Sequence, residues 1–170
     1  DLSYLFLYCS DSLPEASHYI HMAKQANAKQ KTDDAYALAS KAYSIDPSLK
    51  ETLMFLGKIN YRDGNFVESI RYLEAYLKTS GDNTASSYFM MGRAYYKAGK
   101  ISEAKRALKM ALSSDHSFGK ASILLAQCYL KENAKPKAIK VLQQGVKNTP
   151  QNTELKASLI KLENVSQKAS

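Results

Sequence analysis

Residues 85–116 read ASSYFMMGRAYYKAGKISEAKRALKMALSSDH, and this stretch decides the fold. Its apolar residues recur at helical spacing in two runs, Tyr88–Met91–Tyr95 and Ile101–Ala104–Leu108, separated by Gly99. That periodicity describes two amphipathic helices joined by a short turn. A small residue sits in the middle of each run, Gly92 in the first and Ala104 in the second. Antiparallel helices approach closely only where side chains are small, so these two positions mark a crossing point, with bulky neighbours filling the space around it.

The pattern extends in both directions. Ala23, Gly57, Gly92 and Ala126 are 34, 35 and 34 residues apart, and so are Ala35, Ser69, Ala104 and Ala138. The loop residues Pro47, Gly81, His116 and Pro150 keep the same intervals. Three columns in one register describe a repeated helix pair. A lone pair cannot cover its own apolar face, so successive pairs stack.

On these residues the chain resembles the tetratricopeptide repeat family, whose pattern is a bulky residue, Leu-Gly, an aromatic, then Ala, a large apolar residue and a closing Pro. The third repeat matches best, with Tyr88, Met91-Gly92, Tyr95, Ala104 and Leu108, His116 replacing the proline. The second has Leu53, Leu56-Gly57, Gly64, Ser69 and Leu73, with Asn60 in the aromatic slot. The fourth has Leu125-Ala126, Tyr129, Ala138, Leu142 and Pro150; the first, Tyr19, Met22-Ala23, Ala35, Ala39 and Pro47, departs furthest. The resemblance covers about residues 14–165. It implies an all-α fold, a right-handed superhelical α-solenoid of helix-turn-helix repeats.

Boundary signals place helices near 13–28, 33–45, 49–62, 66–79, 85–98, 101–114, 118–132, 135–148 and 153–166. Ser12–Glu15, Ser48–Glu51 and Asn65–Glu68 have the spacing of capping boxes, and Pro136 suits a first helical turn. The expected organisation is an N-terminal cap or remnant of an upstream repeat over 1–12, and four repeats within 13–152 (about 16–49, 50–84, 85–118 and 119–152). A solvating helix and tail over 153–170 close the array.

Composition agrees with a self-sufficient core: 170 residues, 45% hydrophobic, with only 7 Gly and 4 Pro. Cys9 and Cys128 lie far apart without metal-ligand spacing, which points to free thiols, a reducing compartment and a cytoplasmic location. The longest apolar stretch, Leu2–Cys9, is too short to span a bilayer. The chain opens at Asp1, so the lack of a leader says little about targeting.

In the resembled family the concave groove is lined by the first helix of each repeat. Residues outside the packing columns there are Ile20, His21 and Lys24, then Met54, Phe55, Lys58, Tyr61 and Arg62. Further along come Phe89, Met90, Arg93, Tyr96 and Lys97, then Lys120, Ile123, Leu124, Gln127 and Lys131. An apolar floor with a basic edge favours a protein or peptide partner with apolar anchors and acidic flanks. The family's clamp for a terminal carboxylate does not map onto the chain: the two possible registers give Met54, Lys58, Met90, Lys120, Leu124 or Ile20, Lys24, Phe55, Ser86, Met90. An internal or amphipathic segment is therefore the expected ligand.

Charge supplies the competing reading. Residues 97–170 carry 14 bases and 5 acids, whereas 1–96 carry 10 bases and 11 acids. Lys105, Arg106, Lys109, Lys135, Lys137, Lys140 and Lys147 fall on second helices, forming a basic convex face for an acidic partner, an anionic membrane or nucleic acid. Only four of the 24 bases are arginines, and no recognised motif accompanies them, which speaks against specific nucleic-acid readout. Catalysis has no visible machinery: His18 and His21 share a helix face without a third ligand, and there is no phosphate loop or nucleophile motif. No cofactor or metal is expected. The 12 tyrosines, six of them in the second and third repeats, are read as core fillers, with a self-association patch and a homo-oligomer as a further possibility.

Overall fold

The computed structural model describes residues 15–82 and 84–167. The described residues form α1 (Ala16–Ala28), α2 (Thr32–Ile45), α3 (Lys50–Arg62), α4 (Phe66–Ser80), α5 (Ala85–Lys97), α6 (Ile101–Ser114), α7 (Gly119–Lys131), α8 (Lys135–Asn148) and α9 (Thr153–Gln167). Each helix packs antiparallel on the next one in the chain, so the architecture over the described residues is an all-helical repeat solenoid, with α9 packed on α8 and α7. The bounds follow the sequence periodicity closely; α1 begins at Ala16 rather than near 13. The expected cap or upstream remnant over 1–12 lies outside the described residues.

Small-to-large packing holds each pair. Gly57 and Gly92 lie against Leu73 and Leu108, at distances a β-carbon would violate: it would stand 2.8 Å and 2.9 Å from their Cδ2 atoms. Both leucines are buried. Ser69 Oγ donates to the Gly57 carbonyl at 2.7 Å, pinning α4 to α3 at that crossing. Asn60, which departs from the aromatic pattern, is buried with its Nδ2 donating to the Leu56 carbonyl at 2.8 Å, so its own helix satisfies it. The buried apolar residues form four clusters spread along the array, from Ile20 in α1 to Leu155 in α9.

The turn within each pair requires one residue with positive φ. Gly64 (φ 84°) and Gly99 (φ 76°) supply it in the middle pairs, and Gln30 (φ 61°) and Asn133 (φ 57°) in the outer ones. These four are again 34, 35 and 34 residues apart. Asn tolerates the left-handed region through its short polar side chain, whereas Gln does so poorly. Gln30→Gly is therefore expected to stabilise the chain by about 1 kcal/mol, read as a raised urea midpoint with unchanged slope. An unchanged or lowered midpoint would show that the left-handed turn carries no strain there.

Two capping expectations are corrected. Leu49, not Ser48, precedes α3, and no side chain caps that helix. Ser48 is instead held by Asp46, whose Oδ1 accepts from Ser48 N at 2.8 Å and Ser48 Oγ at 2.7 Å. These bonds lower the Asp46 pKa. Asp115 and Ser117 form the same turn two repeats later. Asn65 precedes α4 but makes no side-chain cap bond. Its register is set by the backbone, because a tight turn led by Gly64 leaves no extended residue to aim the side chain at the helix amides. Thr84 does cap α5, accepting from Ser87 N at 3.3 Å, and Asn152 caps α9, accepting from Leu155 N at 3.0 Å. Pro136 sits in the first turn of α8, as its position suggests.

The tyrosines largely tie helices together. Tyr72 is buried edge-on to Tyr43 at 5.4 Å. Tyr95 donates to Glu74 across the α4–α5 joint, and burial with this bond pushes its phenol well above the ordinary range. Tyr76 donates to Asp82, and that bond leads the lowering of the Asp82 pKa. Cys128 is buried as a free thiol, its pKa raised by desolvation to about 11; Cys9 lies outside the described residues.

Candidate functional site

Three neighbouring first helices build the site. On α5 the residues Phe89, Arg93, Tyr96 and Lys97 follow one another at i, i+4, i+7 and i+8, so they form one stripe. Lys120, Ile123, Leu124 and Gln127 form the corresponding stripe on α7. Together with Tyr61 from α3 and Glu154 from α9, these eight line one open cleft of about 460 Å³. Phe89, Tyr96, Ile123 and Leu124 are half-buried and form the floor, while Arg93, Lys97, Lys120 and Gln127 are exposed along the edge. The adjacent tyrosines of α5 divide because successive helical residues point about 100° apart. Tyr95 faces α4 and Tyr96 faces the cleft.

Arg93 is the cation of the cleft that lies over aromatic rings. Its guanidinium lies 4.6 Å from the Tyr61 ring centroid and 5.7 Å from that of Phe89. Phe89 is braced in turn by Phe118, edge-on at 5.2 Å. Among the described residues no carboxylate pairs with Arg93, Lys97 or Lys120. The cleft can therefore offer an apolar surface and unneutralised positive charge to the same ligand.

The remaining candidates are placed elsewhere. Met54, Phe55 and Lys58 line a separate, smaller cleft of about 280 Å³ with Lys24, Lys50, Glu51 and Tyr76. There Lys24 is already paired with Glu51 at 2.6 Å. Met90 does not line either cleft; it packs against Ile70, Leu73 and Ala94, because it lies about 100° around α5 from Phe89. Arg62 is engaged, donating from Nη1 to Asn27 Oδ1 at 2.7 Å and pairing with Asp63. Lys131 is exposed at the last position of α7 and borders neither cleft. Ile20 is buried in the core of the first pair.

Glu154 was missed from the candidates, although a signal for it exists. Continuing the 34-residue register past the fourth repeat puts Glu154 in one column with Glu51, Ser86 and Lys120. α9 thus behaves as one more first helix, and its Glu is the single acid on the cleft's rim.

On the second helices, Lys105 of α6 is engaged with Glu132 and lies 5.4 Å from the Tyr129 ring. Lys137, Lys140 and Lys147 on α8 are exposed, and α8 contains no acid. Among the described residues no three His, Cys, Asp or Glu side chains gather as a metal site, and no helix is long and apolar enough to cross a membrane.

Comparisons with known proteins agree with this architecture. The comparison with curated proteins returns no match. Among solved structures, MamA is 22% identical and superposes with a TM-score of 0.76, over 85% of this chain and 84% of that one. MamA 41-end from Desulfovibrio magneticus RS-1 is 14% identical with a TM-score of 0.76, over 89% and 85% of the two chains. YrrB, described as a TPR protein with an unusual peptide-binding site, is 16% identical with a TM-score of 0.72, over 97% and 82%. At these identities the likeness is one of fold. A family model described as tetratricopeptide repeat matches residues 89–153, which contain most of the best-formed repeat and most of the cleft. That match falls on the same register that runs through all four helix pairs, so residues 89–153 match the tetratricopeptide repeat and the chain as a whole has the fold of such repeat arrays.

Proposed function

We propose that this chain is a protein-interaction scaffold that holds a segment of a partner protein in the cleft between α3, α5 and α7. One observation carries the reading. Eight candidates drawn from two separate helices share a single cleft, with a half-buried apolar floor and three cations that have no acidic partner among the described residues. Such a surface suits a segment with apolar anchors and acidic flanks, because apolar burial supplies affinity and opposite charge supplies orientation and speed of encounter. The peptide-binding site that YrrB is described as having supports the same use of this fold. The role is that of an adaptor rather than an enzyme. The buried thiol of Cys128 fits a reducing, cytoplasmic setting.

The test is steric. Gln127 is exposed on α7 and lines the cleft, so Gln127→Trp fills it without disturbing the buried columns. Affinity capture from the source cell, after nuclease treatment and at two salt concentrations, should retain a partner on the native chain and lose it on this variant. Affinity for that partner should fall about tenfold or more. A partner held equally by both chains would refute the groove reading. If its binding also collapses with salt, and with Lys137, Lys140 and Lys147 changed to Glu, the acid-free face of α8 is the interface.

A further inference from the structure

The repeat register exposes a contrast between two equivalent joints on the concave side. At the first, Lys24 of α1 pairs with Glu51 of α3 at 2.6 Å. Two repeats later the corresponding positions, each 69 residues on, are Arg93 of α5 and Lys120 of α7. Both line the same cleft. The fold thus places two cations where its own template places a cation and a carboxylate. Neither cation has an acidic partner among the described residues. Like charges brought to one cleft are mutually unfavourable unless an anion lies between them.

We propose that Arg93 and Lys120 together bind the side-chain carboxylate of an Asp or Glu within the partner segment, which takes the place that Glu51 takes on Lys24. This rests on the groove reading above and specifies its ligand. Arg93 is prepared for the task. Its guanidinium is held over Tyr61 and Phe89 at 4.6 Å and 5.7 Å, and among the described residues no acceptor takes its N–H donors. Ring contact of this kind limits the rotamers available to the side chain before binding, so less freedom is lost when the carboxylate arrives. The carboxylate is that of an internal residue rather than a chain end. Tyr61 extends the cleft onto α3, whose Met54 and Phe55 offer a second apolar cleft, so a segment has surface to follow past Arg93. Acid in the α5–α7 cleft and an apolar residue on α3 then fix the direction in which the segment lies.

The probe is a library of short peptides with acetylated N-termini and amidated C-termini, selected on the native chain and on Gln127→Trp, Arg93→Gln and Lys120→Glu. Peptides retained by the native chain and released by Gln127→Trp should carry Asp or Glu at one position. Changing that residue to its amide should weaken binding about tenfold or more to the native chain but less than about threefold to Arg93→Gln. Lys120→Glu rebuilds the Lys24–Glu51 arrangement within the protein. It should lose the acidic peptides while melting no lower than the native chain, which separates site closure from unfolding. Equal loss on the amide change in the native chain and Arg93→Gln, or selected peptides without an acid, would overturn the proposal while leaving the groove intact. Binding restricted to peptides with a free C-terminus would overturn it in favour of a chain-end carboxylate. Peptides that Gln127→Trp fails to release, or no retained peptides, would overturn the groove reading and this proposal together.

Discussion

Leu108→Ala is expected to lower the unfolding free energy by about 2–5 kcal/mol, the range for emptying a fully buried leucine site. Leu108 has no exposed surface and fills the notch that Gly92 leaves in α5. It also belongs to the cluster that carries Phe89, Tyr96 and Leu124, so the loss should loosen the cleft floor as well as the α5–α6 crossing. Urea unfolding followed by circular dichroism checks the magnitude; a loss below about 1 kcal/mol would mean that the neighbouring helices collapse into the space. The partner substitution makes the argument sharper. Gly92→Ala alone would put a β-carbon 2.9 Å from Leu108 Cγ and Cδ2, an overpacking worth about 1–3 kcal/mol. In the Leu108→Ala background that methyl group enters the vacated space, meeting the Ala104 carbonyl at an ordinary 3.5 Å. It also brings the helix propensity that Gly lacks, about 0.5–1 kcal/mol. The double variant should therefore be no less stable than Leu108→Ala. Simple additivity of the two losses would show that the crossing is not a matched pair.

Leu155→Asp is expected to undock α9. Leu155 is fully buried, between two glycines that admit it: β-carbons at Gly119 and Gly145 would stand 2.9 Å and 3.1 Å from its Cδ atoms. Over residues 153–164 of α9 no other side chain is buried, so Leu155 is the main anchor of that stretch. An unpaired carboxylate there costs more than the about 2–5 kcal/mol of a Leu→Ala change, because the charge must be desolvated as well. A terminal helix in a linear array is held only by its neighbour, so the damage should stay local. Hydrogen exchange should show amide protection lost over 153–167 while α1–α6 keep theirs. Protection retained in α9 would show that Leu159 and Leu162, which pack on the same cluster, suffice to hold it. Loss of protection throughout the chain would show that the repeats unfold as one unit rather than from the end.

Much of this was legible because the repeat imposes the same demand several times. Gly57 and Gly92 report the crossings, and Gly64 and Gly99 the left-handed turns; Gln30 and Asn133 hide in that same turn column because their side chains do not announce a positive φ. The cleft was legible in outline from stripes such as Phe89, Arg93, Tyr96 and Lys97. Its exact membership was not. Met90 and Phe89 are neighbours in sequence and equally apolar, yet one turns to α4 and the other to the cleft, a distinction of about 100° that composition does not carry. Likewise the charges of Arg62 and Arg93 look alike in sequence, and only the distance to Asn27 and Asp63 shows that the first is engaged.

The sequence by itself therefore determined the helix pairs and their stacking order, since these follow from local periodicity and small residues recurring in register, while the face on which a partner is expected is what the family resemblance implies. Only the tertiary structure decided which cations remain unneutralised, that Glu154 joins the rim, and that Arg93 and Lys120 share one cleft. Those facts depend on distances between side chains on helices far apart in the chain, and a Coulombic contact is set by separation in space rather than by residue type.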